Sequence, residues 1–93
     1  MAAPLFELGV VVATPNALEL LAQTGTDPAE LLQRHQSGDW GEVPPEDAKE
    51  NEFSLREGFR ILSSYPVGED GSKVWLLTEA DRSSTCILLP EDY

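Results

Sequence analysis

Apolar residues recur along this chain in two rhythms, and the change from one to the other divides it. Leu8 to Ala13 (LGVVVA) is a short β-branched run closed by the turn-prone Thr14-Pro15-Asn16, a pattern that predicts a buried first strand. Helical spacing then takes over. Thr14 suits an N-cap, Pro15 suits the first helical position because its missing donor has no partner there anyway, and Leu18, Leu21 and Ala22 share one face up to Gly25. Asp27-Pro28-Ala29-Glu30 repeats this start as a capping-box pattern and predicts a helix from about Pro28 to Gln36. Its last turn holds Arg34, His35 and Gln36, where positive or polar groups complement the helix dipole, and Gly38 ends it. Pro44 and Pro45 open a third helical stretch, EDAKENEFSLRE, which stops at Gly58.

From Phe59 the period falls to two. Phe59, Ile61, Ser63 and Tyr65 alternate with Arg60, Leu62 and Ser64, which is the mark of a strand. The Asp-Gly pair in GEDGS predicts a hairpin into the return strand KVWLLT, and after the polar EADRSS turn TCILL gives a further strand that Pro90 terminates. These three strands form an antiparallel meander. The chain is therefore expected to be a single α+β domain over residues 1–93. In it an N-terminal strand and two to three short helices pack on a three- to four-stranded, mainly antiparallel sheet.

Charge changes the picture most. Seventeen acidic residues against six basic ones give a net charge of -11 at pH 7. A field of that sign repels phosphate backbones and anionic membranes, which argues against direct nucleic-acid or membrane binding, and it attracts basic protein surfaces. Cys86 is the one cysteine, so no internal disulfide forms and a reducing cytosol suits the chain. Within CILL it reads as an inert buried thiol. The N-terminus lacks the basic start and long apolar centre of a signal peptide, and no run is long enough to span a membrane, so a cytoplasmic protein is expected.

Candidate chemistry is sparse. His35 is the one histidine and has no marked partner beside it; a pairing with Cys86 would need a spatial adjacency that spacing does not imply. There is no Cys/His cluster for zinc, no calcium loop, no phosphate-cradling glycine motif, and no cofactor is expected. Paired carboxylates are too abundant for any one pair to point to hydrolysis.

One stretch does stand out. Gly38 to Glu52 (GDWGEVPPEDAKENE) holds six carboxylates, and Glu57 follows. If Pro45 begins a helix, Glu46 and Asp47 lie where the dipole favours negative charge. Glu46 and Glu50 are then a like-charged i, i+4 pair, with only Lys49 and Arg56 at hand to offset it. Carboxylates about 6 Å apart along a helix make a ladder that a lysine and arginine groove can accept in place of phosphates. Asp39, Glu42, Glu46, Asp47, Glu50, Glu52 and Glu57 are the expected partner-binding charges, with Trp40 as an aromatic anchor or, alternatively, an inward plug between helices. Glu79, Asp81, Glu91 and Asp92 would extend the surface. Trp75 reads as core.

Taken together, HQSGDWGEV, ENEFSLREGFRILSSY, VWLLTEADRSST and ILLPEDY resemble a family of small acidic bacterial proteins of plasmids and other mobile elements, over most of the chain from about Phe6 to Tyr93. That family has no assigned activity, so the resemblance implies context and carries over no catalytic residue. In size and charge the chain is also similar to anti-restriction and anti-CRISPR inhibitors. The expectation is a non-enzymatic inhibitor that mimics nucleic acid and blocks a basic surface of a host complex. The alternative is a small regulatory, antitoxin-like interaction module that binds through apolar surface.

Overall fold

The computed structural model describes residues 3–93, so the start of the expected domain, residues 1–2, lies outside the described residues. The elements run β1 (Val10–Ala13), α1 (Pro15–Thr24), α2 (Pro28–Gln36), α3 (Pro45–Glu57), β2 (Ile61–Val67), β3 (Ser72–Thr78), β4 (Ser84–Leu88) and a final 3-10 turn, Pro90–Asp92. The strands make a four-stranded sheet of order β1-β4-β3-β2. The meander β2-β3-β4 is antiparallel as expected, and β1 returns to lie parallel to β4 at the sheet's edge. This is an α+β fold with a mixed, mostly antiparallel sheet.

The helix starts follow the local chemistry. The Thr14 hydroxyl accepts from Ala17 N–H at 3.2 Å and Asp27 accepts from Ala29 N–H at 2.9 Å, each followed by a proline. The reciprocal capping box does not form among the described residues: the Asp27 side chain takes the N–H of Ala29, and the Glu30 N–H donates to the Asp27 backbone carbonyl. α1 and α3 end on left-handed Gly25 and Gly58.

Alternation sorts the sheet into two faces. Ile61, Ser63, Tyr65 and Val67 of β2, Val74, Leu76 and Thr78 of β3, and Thr85 and Ile87 of β4 are all buried beneath the helices. Ala17, Leu21 and Leu31 from α1 and α2 pack on Tyr65, Val67, Val74, Leu76 and Ile87. Phe6, Trp40 and Ile61 form a smaller cluster with Val43, Ala48 and Leu55 around it. Trp75 departs from its reading as core: it lies half-buried on the opposite face, its ring edge-on to Tyr93 at 5.9 Å. β1 departs further. Val10, Val11 and Val12 are 67%, 42% and 48% exposed, so the first strand is an open edge and not the buried one expected.

Between the two clusters sits His35, fully buried, with its ring edges against Phe6 and Trp40. Nδ1 lies 2.5 Å from Ser63 Oγ and Nε2 lies 2.9 Å from Thr78 Oγ1; Thr78 in turn meets Thr85 Oγ1 at 2.7 Å, and Thr85 donates to the Leu8 carbonyl at 2.8 Å. The carbonyl fixes the Nε2 side of this chain, because it can only accept. Thr85 gives it its single hydroxyl hydrogen, so Thr78 donates to Thr85 and Nε2–H donates to Thr78; the buried ring is neutral, so Nδ1 accepts from Ser63. His35 ties α2 to three strands and to the N-terminal segment. It lies in the last turn of α2 as expected, as a polar and uncharged group: burial, then the positive charge of Arg82, pushes its pKa down to about 4.

Arg82 itself adopts a left-handed backbone, φ 61°, in the β3-β4 turn. Its guanidinium donates to the carbonyls of Ser54, Phe59, Glu79 and Ala80 at 2.7 to 3.1 Å, which closes the C-terminal end of α3 onto the sheet.

A neutral, buried His35 makes stability depend on pH with a defined sign. The unfolded chain takes up a proton near pH 6.5 and the folded one only near 4, so the stabilisation is whole above pH 6.5 and is lost as pH falls through that window. The loss should reach about 2 kcal/mol by pH 5. Urea midpoints at pH 7 and 5, compared with those of His35→Gln, read this contribution. Side-chain 15N spectra should give a protonated Nε2 and a bare Nδ1 at pH 5.5, and an imidazole titrating near 6.5 would contradict the network.

Candidate functional site

The acidic segment begins as the seal on one edge of the sheet. Gly41 pairs with Ser64 of β2: Ser64 N–H donates to Trp40 O at 3.0 Å and Glu42 N–H to Ser64 O at 2.7 Å. Gly41 has φ 73°, and a Cβ there would run into the Ser64 carbonyl, so glycine is what lets the backbones close. One step along, the Asn51 side chain donates to Leu62 O at 2.8 Å and accepts from Leu62 N–H at 3.1 Å. Tyr65 O–H donates to Asp39 O at 2.6 Å. The loop and α3 together satisfy this stretch of the β2 edge.

Several of the predicted partner-binding residues are consumed by this construction. Trp40 is 7% exposed and packs against both Phe6 and His35, with its Nε1–H donating to Glu52 at 3.1 Å. It is the inward plug, and its reading as a surface anchor is corrected accordingly. Glu52 is exposed but oriented by that bond. Asp39 pairs with Arg34 at 2.7 Å and also accepts from Gly41 N–H; the Arg34 hydrogen bond, more than the turn, holds its carboxyl below the ordinary range. Arg34 lies 4.4 Å above the Tyr65 ring, so the pair caps the buried tyrosine. Glu42 pairs with Lys73 across to β3.

The outlying acids mostly have local work as well. Glu79 pairs with Arg60 at 3.3 Å. Asp81 accepts from Ser83 N–H in the β3-β4 turn. Asp92 accepts from Thr14 Oγ1 at 2.7 Å, Asn16 Nδ2 at 3.0 Å and Leu89 N–H at 3.1 Å, which lowers its pKa and staples the final turn to the start of α1. Glu79, Asp81 and Asp92 therefore do not simply enlarge a free acidic surface.

What is left lies on α3. Pro44 gives no side-chain cap, so Glu46 and Asp47 sit at the helix N-terminus where its free N–H groups favour negative charge. Glu50 and Glu57 are exposed, and among the described residues neither makes an ion pair. At 100° per residue, Glu46, Glu50 and Glu57 fall within an arc of about 40°, on the side of the helix turned away from Asn51. Lys49 and Arg56 form a parallel strip beside them. Phe53 shares the acidic strip, and its ring stacks on Phe59 with centroids 5.7 Å apart and planes within 8°. The two phenyls are 44% and 54% exposed.

This aromatic pair was not anticipated, because Phe59 read as the first residue of a strand. The available signal was Phe53 itself, an aromatic falling in register with Glu46, Glu50 and Glu57 on an otherwise polar helix. His35 and Cys86, by contrast, are not brought together: Cys86 points to the outer face in the row of Leu77, while His35 bonds to Ser63 and Thr78 on the inner one. Burial raises the Cys86 thiol pKa. A depression of about 450 Å³ beside α2 and another of about 280 Å³ beside Leu89 are lined by neither residue. No group of three or more possible metal ligands occurs among the described residues. Nor, among them, is any helix long and apolar enough to cross a membrane.

The two kinds of residue separate in a stability measurement. Trp40→Ala should cost about 3 to 5 kcal/mol, the range for emptying a buried aromatic site. Glu50→Gln, with nothing to lose, should stay within about 0.5 kcal/mol of the parent. Paired urea titrations at neutral pH check both.

Comparison with known proteins adds no relative to this geometry: no protein-family model, curated protein or solved structure matches the chain.

Proposed function

We propose that this protein is a non-enzymatic inhibitor of the cytoplasm that occupies a basic, nucleic-acid-binding surface of a host protein complex, as anti-CRISPR and anti-restriction proteins do. The observation that carries the reading is the acidic strip of α3, where Glu46, Glu50 and Glu57 face solvent with no ion-pair partner among the described residues, in a chain of net charge -11. Asp39, Glu42 and Glu52 are tied to Arg34, Lys73 and Trp40 and contribute to the surrounding field more than to direct contact. Glu46 and Glu50 stand one helical turn apart, about 6 Å, and Glu57 two turns further, about 10 Å, so the strip offers lysine and arginine side chains a series of acceptors of the kind a phosphate backbone offers.

The alternative reading, a small regulatory interaction module, has one observation in its favour. Phe53 and Phe59 put two stacked, half-exposed rings on the same side of the molecule as the acids. Exposed aromatics at a surface are common anchors of protein interfaces. If they dominate, binding is driven by apolar contact and charge serves only orientation.

Salt separates the two. Affinity capture from bacterial lysate, washed at low and high salt, should retain a nucleic-acid-binding partner only at low salt if charge carries the contact, since exposed pairs are screened beyond about 8 Å at physiological ionic strength. The captured protein should lose nucleic-acid binding when this chain is added. The variant Glu46→Lys/Glu50→Lys/Glu57→Lys, shown to be folded by its circular dichroism and urea midpoint, should lose the partner at least tenfold. Unchanged retention by that variant refutes the charge-based reading, and loss through Phe53→Ser/Phe59→Ser instead supports the module.

A further inference from the structure

The sheet's two edges are treated in opposite ways. The β2 edge is closed by Trp40, Glu42 and Asn51, whereas β1 ends the sheet on the other side. Val10 N–H and Thr14 N–H donate to the carbonyls of Ser83 and Ile87, so even-numbered residues of β1 face β4. Val11 and Ala13 therefore turn their N–H and C=O groups outward, where they meet no partner among the described residues. Gly9, at φ 67°, breaks the extended chain just before this edge, and α1 starts just after it.

We propose that β1 pairs antiparallel with β1 of a second copy of this chain, across a two-fold axis at Val12. In that register Val11 of one copy faces Ala13 of the other. Each of these two residues brings one N–H and one C=O, and the pairing closes four backbone hydrogen bonds, two at each Val11-Ala13 pair.

Four observations select a second copy as the occupant. Shortness apart, the edge lacks the devices that normally keep strand edges from pairing: the four residues Val10–Ala13 contain no lysine, proline, bulge or inward charge. Its own side chains carry no charge, since from Leu8 to Leu18 no residue is ionised. Asp92, bonded to Thr14 and Asn16, is a carboxylate beside the strand's end, so the central contact at Val11 to Ala13 is made by uncharged side chains between two bodies of net charge -11. The strand is self-complementary, with Val12 meeting Val12 at the axis. Finally, Val12, Cys86, Leu77 and Leu62 stand in one row across the outer face, and dimerisation would continue that apolar row through the second sheet. Because the β2 edge is already sealed, the assembly stops at two copies.

Such an interface is short, below the roughly 800 Å² per partner of a stable complex, so the association is reversible and concentration-dependent. Sedimentation equilibrium of the full chain from micromolar to millimolar concentration should give a monomer-dimer equilibrium that strengthens with added salt, the reverse of the salt response expected for a basic partner. Amide hydrogen exchange over the same range should slow selectively at Val11 and Ala13. Val12→Lys, which sets two like charges face to face at the axis, should weaken the dimer at least tenfold while leaving the monomer's circular dichroism unchanged. A chain that stays monomeric at millimolar concentration overturns the proposal, as does a dimer in which Val11 and Ala13 exchange as fast as in the monomer. Protection of these amides only on adding an extended peptide of different sequence also overturns it, in favour of a foreign strand at this edge. None of these outcomes bears on the acidic face of α3.

Discussion

The buried imidazole of His35 is the constraint around which the rest is arranged. A polar ring in an apolar cavity is tolerated only if both nitrogens are satisfied, and here that requirement recruits a hydroxyl from each of three strands. The last hydroxyl in the series ends on Leu8 O, so the N-terminal segment is held against β4 by the same network that positions α2. Phe6 and Trp40 then close over the ring, and Trp40 brings with it the loop that seals β2. Removing one polar group would leave the others unpaired in a low-dielectric interior, which costs more than the bond itself.

The same logic divides the negative charge. An acid is structural where a donor stands within reach that would otherwise be unsatisfied or loosely held, as Trp40 Nε1 is for Glu52 and Thr14 and Asn16 are for Asp92. It is surplus where the neighbouring positions offer no such donor, as on the outer strip of α3. Charge density in the sequence does not make this distinction. Half of the acidic segment turns out to be scaffolding for a sheet edge, and the functional reading rests on the remainder.

What was legible in the sequence was whatever depends on neighbours a few residues away. Thr14-Pro15, Asp27-Pro28 and Gly58 set helix limits through bonds within one turn, and alternation from Ile61 onward gave the strands their faces. Three features depended on distant partners and were misread or unseen. A run such as VVVA looks buried because central strands of α/β sheets look like that; only the strand order places it at an edge. Trp40, in the loop after α2, turned inward for a carboxylate twelve residues on and the histidine of α2. The network at His35 needed Ser63, Thr78 and Thr85 to be recognised as inward positions together, although each alone is an ordinary strand residue.

The tie between Thr85 and Leu8 spans 77 positions, and that between Thr14 and Asp92 spans 78. Both must wait until β4 and the final turn are available, since partners so far apart in sequence meet only after a large loss of chain entropy. Helices α1 to α3 and the β2-β3-β4 meander can form from local contacts, but the imidazole keeps unsatisfied neighbours until β4 arrives and draws the first strand in. During synthesis the apolar VVVA segment thus emerges well before β4 and finds its place only when β4 arrives.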